Sequence, residues 1–124
     1  MISTTIETGR KGEDLACTYL QNLGYRILTR NFRNRRYEID IVASYDGVLV
    51  FVEVKTRSLK ALDIGGELRP AQMRRIVCAA NSYVYTERPR CKETRFDLIK
   101  IRGIGKLRSI EHIIDAFDPA TATL

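Results

Sequence analysis

Two short runs with a turn signal between them constrain this chain more than any other feature. The first is Tyr37-Glu38-Ile39-Asp40-Ile41-Val42 and the second is Val50-Phe51-Val52-Glu53-Val54-Lys55. Each alternates apolar and charged residues, a period that places the charges of a strand on one face and its aliphatic residues on the other. Asp46-Gly47 lies between the runs. Asp-Gly is a strong hairpin signal, because both central residues of a type I′ turn need positive φ. With Tyr45 opposite Val48, Asp40 falls opposite Glu53, and Glu38 opposite Lys55. Opposed side chains share a face, with Cβ atoms about 4.5–5.5 Å apart. Ile39, Ile41, Ala43, Val50, Val52 and Val54 then make up a core face on the other side.

Like charges set directly opposite each other destabilise a hairpin, so stability alone does not account for Asp40 against Glu53. A divalent cation removes the conflict. Mg²⁺, or Mn²⁺ in its place, takes carboxylate oxygens and keeps several waters, often beside substrate phosphates. Lys55 is then placed to orient a metal-bound water or to steady charge on a phosphate. The plainer reading is a solvated strand face with a cross-strand Glu38–Lys55 pair.

Glu38-x-Asp40 followed by Glu53-x-Lys55 resembles the D…E-x-K core of the PD-(D/E)xK nuclease superfamily. More closely, the chain resembles the uncharacterised YraN-like proteins. The matching pieces are Gly12-Glu13-Asp14-Leu15-Ala16, Leu23 to Leu28, Arg30-Asn31-Phe32-Arg33, Glu38 to Val42, Phe51 to Arg57 and Arg95-Phe96-Asp97, in the family's order. The resemblance spans residues 9–118. It implies a restriction-endonuclease-like fold, similar to archaeal-type Holliday junction resolvases, and it implies Glu13 as a further acidic group reaching the metal. Two positions depart from the pattern. Tyr37 stands where the family usually has Gly, and Gln72 where it often has Lys.

The net charge of +6 supplies a partner for such a site. Fifteen of the 21 basic residues are Arg, which forms forked contacts with phosphate. Arg26, Arg30, Arg33, Arg35 and Arg36 lead into the acidic hairpin, while Arg69, Arg74 and Arg75 open a later helix and Arg88, Arg90, Lys92 and Arg95 follow it. Basic surroundings about an acidic centre suit nucleic acid, since arginines neutralise the backbone while carboxylates hold metal. Three cysteines without a C-x-x-C pair fit a reduced compartment, and His112 as the sole histidine argues against a His-rich zinc site or a Cys–His dyad. Cys17 and Cys78 read as small core or near-core residues. No apolar stretch reaches membrane-spanning length and no cationic-then-apolar leader opens the chain, so the expected setting is cytoplasmic.

The remaining pattern predicts a helix from Thr8 to Leu23 closed by Gly24, and a first strand from Tyr25 to Phe32 with a turn at Asn34-Arg35-Arg36. The acidic hairpin supplies the second and third strands. Residues 58–67 read as a mobile loop, and a second helix runs from Pro70 to Tyr85. Strands from Thr94 to Ile101 and from Leu107 to Ile113 meet around Gly103-Ile104-Gly105. Asp115 to Phe117 reads as a short turn, and Ala120 to Leu124 as a frayed tail.

The expectation is a single α/β domain over residues 1–124, restriction-endonuclease-like, with a mixed sheet of about five strands flanked by helices. Asp40 and Glu53 would hold Mg²⁺ or Mn²⁺, with Glu13 and Glu38 completing the site. Lys55 would position the attacking water, assisted by an inward-facing Gln72. Arg33, Arg35, Arg36, Arg57, Arg74 and Arg75 would engage phosphates. The expected partner is DNA, branched or damaged DNA included, with room for a homodimer and no role for a membrane. A nucleic-acid-binding module without turnover, or a basic protein-interaction domain, would carry the same charge pattern.

Overall fold

A computed structural model describes residues 5–35, 37–57, 68–103 and 107–122. The elements follow the order α1 (Thr5–Asn22), β1 (Arg26–Asn34), β2 (Tyr37–Tyr45), β3 (Val48–Arg57), α2 (Pro70–Glu87), β4 (Glu93–Arg102), β5 (Ser109–Ile113) and α3 (Pro119–Ala122). The strands form one sheet in the order β1-β2-β3-β4-β5. Neighbours are antiparallel except β3 and β4, which run parallel and are joined through α2. No helix among the described residues is long and apolar enough to cross a membrane.

The hairpin turns where the sequence predicts. Asp46 and Gly47 take φ of 50° and 79°, and Tyr45 pairs with Val48. Gly24 ends α1 at φ 95°, with the Tyr25 N–H returning to the Leu20 carbonyl at 3.0 Å. Arg35, at φ 57°, opens the turn after β1, so Asn34 belongs to the strand and pairs with Tyr37. The predicted frayed tail instead begins with α3. Asp118 caps it by accepting the Ala120 N–H at 2.9 Å, and Pro119 supplies a first residue that needs no donor. The predicted loop over residues 58–67 and most of the turn after Gly103 lie outside the described residues.

The sheet is covered on both faces. Ala16, Cys17 and Leu20 of α1 pack on Ile41, Ala43, Val50, Val52, Ile99 and Ile101. Ile76, Val77, Ala80 and Tyr83 of α2 pack on Val42, Leu49, Phe51, Phe96 and Leu98. Leu49-Val50-Phe51-Val52 is therefore continuously buried, as expected of a strand between two helical layers. Each such side chain contributes about 1.5–3 kcal/mol by leaving water. Cys78, predicted near the core, is exposed, because α2 directs Ile76, Val77, Ala79 and Ala80 inward around it.

The expected core face needs a correction. Ile41 and Ala43 lie on the α1 side, but Ile39 joins Val42 and Phe51 on the α2 side. Ile39 and Ile41 are two residues apart and would share a face in a regular strand. Ile41 pairs with Arg30 and Ile39 with Phe32, which sets Asp40 across from Asn31. Asn31 has φ 53°, a left-handed conformation that Asn tolerates better than most residues. The strands change face at this point.

One buried polar cluster braces the α1 side. Asp97 is 1% exposed and accepts four hydrogen bonds: from Arg95 Nε and Nη2 at 2.8 Å each, His112 Nε2 at 2.7 Å and the Asp115 N–H at 3.0 Å. Burial alone would raise the Asp97 carboxyl, but the bonds from His112, Arg95 and Asp115 outweigh it and hold the group below its ordinary value. Arg95 Nη2 also donates to the Tyr25 hydroxyl at 2.7 Å, and His112 Nδ1 meets Tyr19 Oη at 3.2 Å. The cluster ties α1, β4, β5 and the start of β1 together. The His112 side chain is 4% exposed, which makes this a brace rather than a reaction centre. Arg95 is thereby withdrawn from the basic surface.

Candidate active site

The site forms where the β2–β3 ladder opens. Backbone pairing runs from Tyr45↔Val48 to Ile41↔Val52 and stops there. The predicted opposition of Asp40 to Glu53 and of Glu38 to Lys55 is thus not continued as ladder pairs. Asp40 occupies the fork instead. Its Oδ2 accepts the Val54 N–H at 2.8 Å, giving a backbone donor the acceptor that the parted strand no longer supplies.

Asp40 and Glu53 are nonetheless brought together. Glu53 is pushed up from 4.5 to about 9, first by burial, then by a hydrogen bond with Asp40 and by its charge. Lys55 opposes the shift and Glu38 adds to it. Glu53 therefore keeps its proton at neutral pH, because a second charge buried beside Asp40 is unfavourable.

Glu13 arrives from α1. Its carboxyl is raised by burial first and then by Asp40, with Glu38 adding; Asn31 and Arg30 pull the other way. Asn31 links the acids directly. With its amide turned to suit both neighbours, Nδ2 donates to Glu38 Oε1 and to Glu13 Oε2, each at 3.1 Å. A left-handed residue in mid-strand, with a short amide side chain, makes this bridge. The sequence match covered Asn31 without assigning it a role.

Gly12 lets α1 come this close. A Cβ at Gly12 would stand 1.9 Å from Thr56 Oγ1 and 3.1 Å from Thr56 Cβ. The bare backbone of residue 12 thus rests on the residue after Lys55, and Glu13 is delivered to the fork. The pair Gly12-Glu13 was the available signal, but its partner Thr56 lies far along the chain and carries no mark in the sequence.

The arginines divide into two groups. Arg30 is held by Asp14, with Nη2 to Oδ1 at 2.7 Å, and lies 3.9 Å from Glu13. Arg33 pairs with Glu38 at 3.1 Å, so one predicted phosphate contact is engaged at the rim of the acidic site. Arg35, Arg57, Arg74 and Arg75 are exposed, and Arg57 donates to its neighbouring Thr56 carbonyl at 3.0 Å. Arg36 lies outside the described residues. Gln72 accepts the Arg69 N–H at 3.1 Å through Oε1, capping its own helix.

The donor set can be tested against a cation. Among the described residues, no three His, Cys, Asp or Glu side chains form a ready cluster. What the fork offers is a pair, Asp40 and Glu53, in which Glu53 retains a proton beside Asp40. A hard cation with one or two carboxylates and several waters fits that arrangement and would displace the proton.

A match to the description "Uncharacterised protein family UPF0102" covers residues 12–101, which include the fork, Gly12, Asn31 and Asp97. The chain belongs to the UPF0102 family. That family lies in the restriction-endonuclease-like superfamily, and the five-stranded mixed sheet flanked by helices is compatible with its fold. The chain is 46% identical to a UPF0102 protein of Chlorobium limicola over 116 residues, covering 88% of this chain and 90% of the relative. A UPF0102 protein of Chlorobium chlorochromatii is 44% identical over 122 residues, 93% and 94% of the two chains. One of Geobacter metallireducens is 44% identical over 119 residues, 90% and 93% of the two.

Proposed function

We propose that this UPF0102 protein is a metal-dependent nuclease acting on DNA in the cytoplasm, with branched or damaged DNA among its substrates. The observation that carries the reading is the Asp40–Glu53 pair at the open end of the β2–β3 ladder. Glu53 must keep a proton to lie beside Asp40, and the strands part where the two meet, so a cation that takes the proton's place is the partner their chemistry calls for. Asp40 and Glu53 would hold Mg²⁺ or Mn²⁺, and Glu13, steered by Asn31, would complete the shell through water. Bound there, the metal would supply a nucleophilic water and neutralise phosphate charge.

The chain's own residues account for the rest. Lys55 is near enough to act on the charge of Glu53, and its ammonium would orient the attacking water and hold a phosphate oxygen. Asp40, fixed by the Val54 N–H, keeps one oxygen in place for the metal. Glu38, pinned by Arg33 and Asn31, sets the negative field at the rim. Gln72 would assist through the amide nitrogen that its capping bond leaves unused. Arg35, Arg36, Arg57, Arg74 and Arg75 would steer the DNA backbone, with Arg33 released to phosphate as metal takes over its acidic neighbourhood.

The test is a panel of junction, flap, single-stranded and duplex DNA with Mn²⁺, using the wild type and Asp40→Asn, Glu53→Gln and Lys55→Ala. Cleavage by the wild type and its loss in all three variants supports the assignment, since such groups act as a unit. Cleavage that survives in all three removes it. The lack of a ready three-acid cluster among the described residues favours one other reading, a DNA-binding module without turnover. Metal-independent binding with no cleavage of any substrate would select it.

A further inference from the structure

A second groove lies at the other end of the sheet. It measures about 380 Å³ and is walled by Arg26 and Leu28 of β1, Ser44 of β2, Val48 of β3, and Pro89 and Arg90 after α2. Its walls are fixed to each other. The Lys92 N–H donates to the Gly47 carbonyl at 2.9 Å, which fastens the α2–β4 connection to the hairpin turn. Arg26 pairs with Ser44 across the β1–β2 ladder. Arg26 and Arg90 are exposed, and neither has a carboxylate partner among the described residues. They differ in this from Arg30, Arg33 and Arg95, which are all engaged by acids. Two guanidinium groups on a fixed groove, free of acids among the described residues, make a receptor for a phosphate group, which takes forked hydrogen bonds from Arg.

The ridge beside the groove carries a second signal. Tyr85, in the last turn of α2, is 78% exposed, and the Arg88 guanidinium lies 6.0 Å from its ring centre. Arg88 is the left-handed C-cap of the helix, at φ 45°, and leads directly into the groove wall at Pro89. With Arg88 over one face of this exposed ring, the other face suits an unpaired base and the cation its phosphate.

The placement gives the two sites one axis. Asp40 and Ser44 lie on the same strand, about 14 Å apart at the usual rise per residue. Duplex DNA advances about 3.4 Å per nucleotide along one strand, so about four nucleotides separate the two positions. We propose that the Arg26–Arg90 groove is a second phosphate-binding site, which anchors a nucleic-acid strand whose neighbouring segment reaches the Asp40–Glu53 fork, with Tyr85 stacking on an unpaired base. The proposal rests on the nucleic-acid reading of the fork but does not require turnover there.

The experiment uses the full chain carrying Asp40→Asn, so that bound DNA survives, and compares it with the same chain also carrying Arg26→Ala and Arg90→Ala. Fluorescence anisotropy follows a labelled ten-nucleotide single strand and a labelled dinucleotide across a salt series. The added changes are expected to weaken the ten-mer about tenfold or more, and to cost the dinucleotide, too short to reach from the groove to the fork, its groove-bound fraction alone. They should flatten the slope of log affinity against log salt by about 0.7, the value for one phosphate contact on a single strand. Tyr85→Ala should cost about fivefold or more on the ten-mer with the salt slope unchanged, since stacking carries no counterion release. A matched melting temperature confirms that the exposed substitutions leave the fold intact.

Equal affinity and equal slope with and without the two arginines overturn the proposal and leave the nuclease reading standing. The expected binding pattern in a wild-type protein that cleaves nothing upholds the groove and removes the nuclease reading. Inorganic phosphate or a mononucleotide that saturates the Arg26 and Arg90 resonances, while the ten-mer fails to displace it, overturns the proposal in favour of a small-anion site. A chain that binds no oligonucleotide overturns it as well.

Discussion

Glu53 ties the stability of this protein to pH in an unusual direction. Its carboxyl is raised from 4.5 to about 9 in the folded chain, so it keeps a proton that the unfolded chain releases above about 4.5. Between those values the folded state binds the extra proton, and stability falls as pH rises. One proton corresponds to about 1.4 kcal/mol per pH unit, which between pH 4.5 and 8 sums to about 5 kcal/mol as an upper bound. Residual water at this partly exposed site reduces that to a few kcal/mol. Glu53→Gln replaces the protonated acid by an amide that still donates to Asp40 and does not titrate. In chelator at about pH 8 the variant should be more stable than the wild type by a few kcal/mol, at about 3–5 °C of melting temperature per kcal/mol for a chain of this size. Near pH 5 the difference should close. Adding Mn²⁺ at about one hundred times its dissociation constant should restore about 2.7 kcal/mol to the wild type and little to the variant. Calorimetry in two buffers of different ionisation enthalpy should show about one proton released per metal bound at neutral pH. Parallel stability curves for the two proteins across this pH range in chelator would refute a raised Glu53 carboxyl.

Three further outcomes follow from contacts around the fork and the brace. Gly12→Ala should lower stability by about 1–3 kcal/mol through its collision with Thr56, and adding Thr56→Ala should recover most of that loss; denaturant melts of the four proteins in the cycle measure it. Asn31→Gly keeps the left-handed backbone but removes the amide that lowers the Glu13 carboxyl, so a carbon-detected NMR titration should show Glu13 titrating at higher pH than in the wild type. Asp97→Asn should cost about 3–5 kcal/mol at neutral pH by leaving Arg95 and His112 without their buried acceptor. Because the Asp97 carboxyl is depressed when folded, its contribution is present above about pH 4 and is lost as pH falls through the folded value, so the variant should also show a flatter acid limb.

The central hairpin was legible because its determinants are local. Asp46 and Gly47 carry the positive φ values that an Asp-Gly turn requires, and the alternation on either side fixes the strands. The register could be carried from the turn only as far as the ladder continues. It ends at Ile41↔Val52, and the break depends on an Asp40 side chain competing for a backbone donor, which no periodicity announces. Asn31 was obscure for a related reason, since a left-handed residue inside a strand has no local sequence signature. The number of arginines described the charge of the surface but not their partners. Arg95 proved to be buried business of Asp97, while Arg26 and Arg90 stood free of acids among the described residues. Glu13 was placed by family resemblance and does meet the fork, through a Gly12–Thr56 contact between distant parts of the chain.

Asn31 has a consequence beyond the bridge between Glu13 and Glu38. β1 is an outer strand of the sheet, and its free side would present a row of unpaired N–H and C=O groups to any other chain. The left-handed turn at Asn31 breaks that row in the middle, and the pairing shift between Ile27 and Thr29 breaks it again near its start. The kink that brings an amide to the acidic fork therefore also interrupts the long edge of the sheet as a template for strand addition, so one residue both aims the site and roughens the edge.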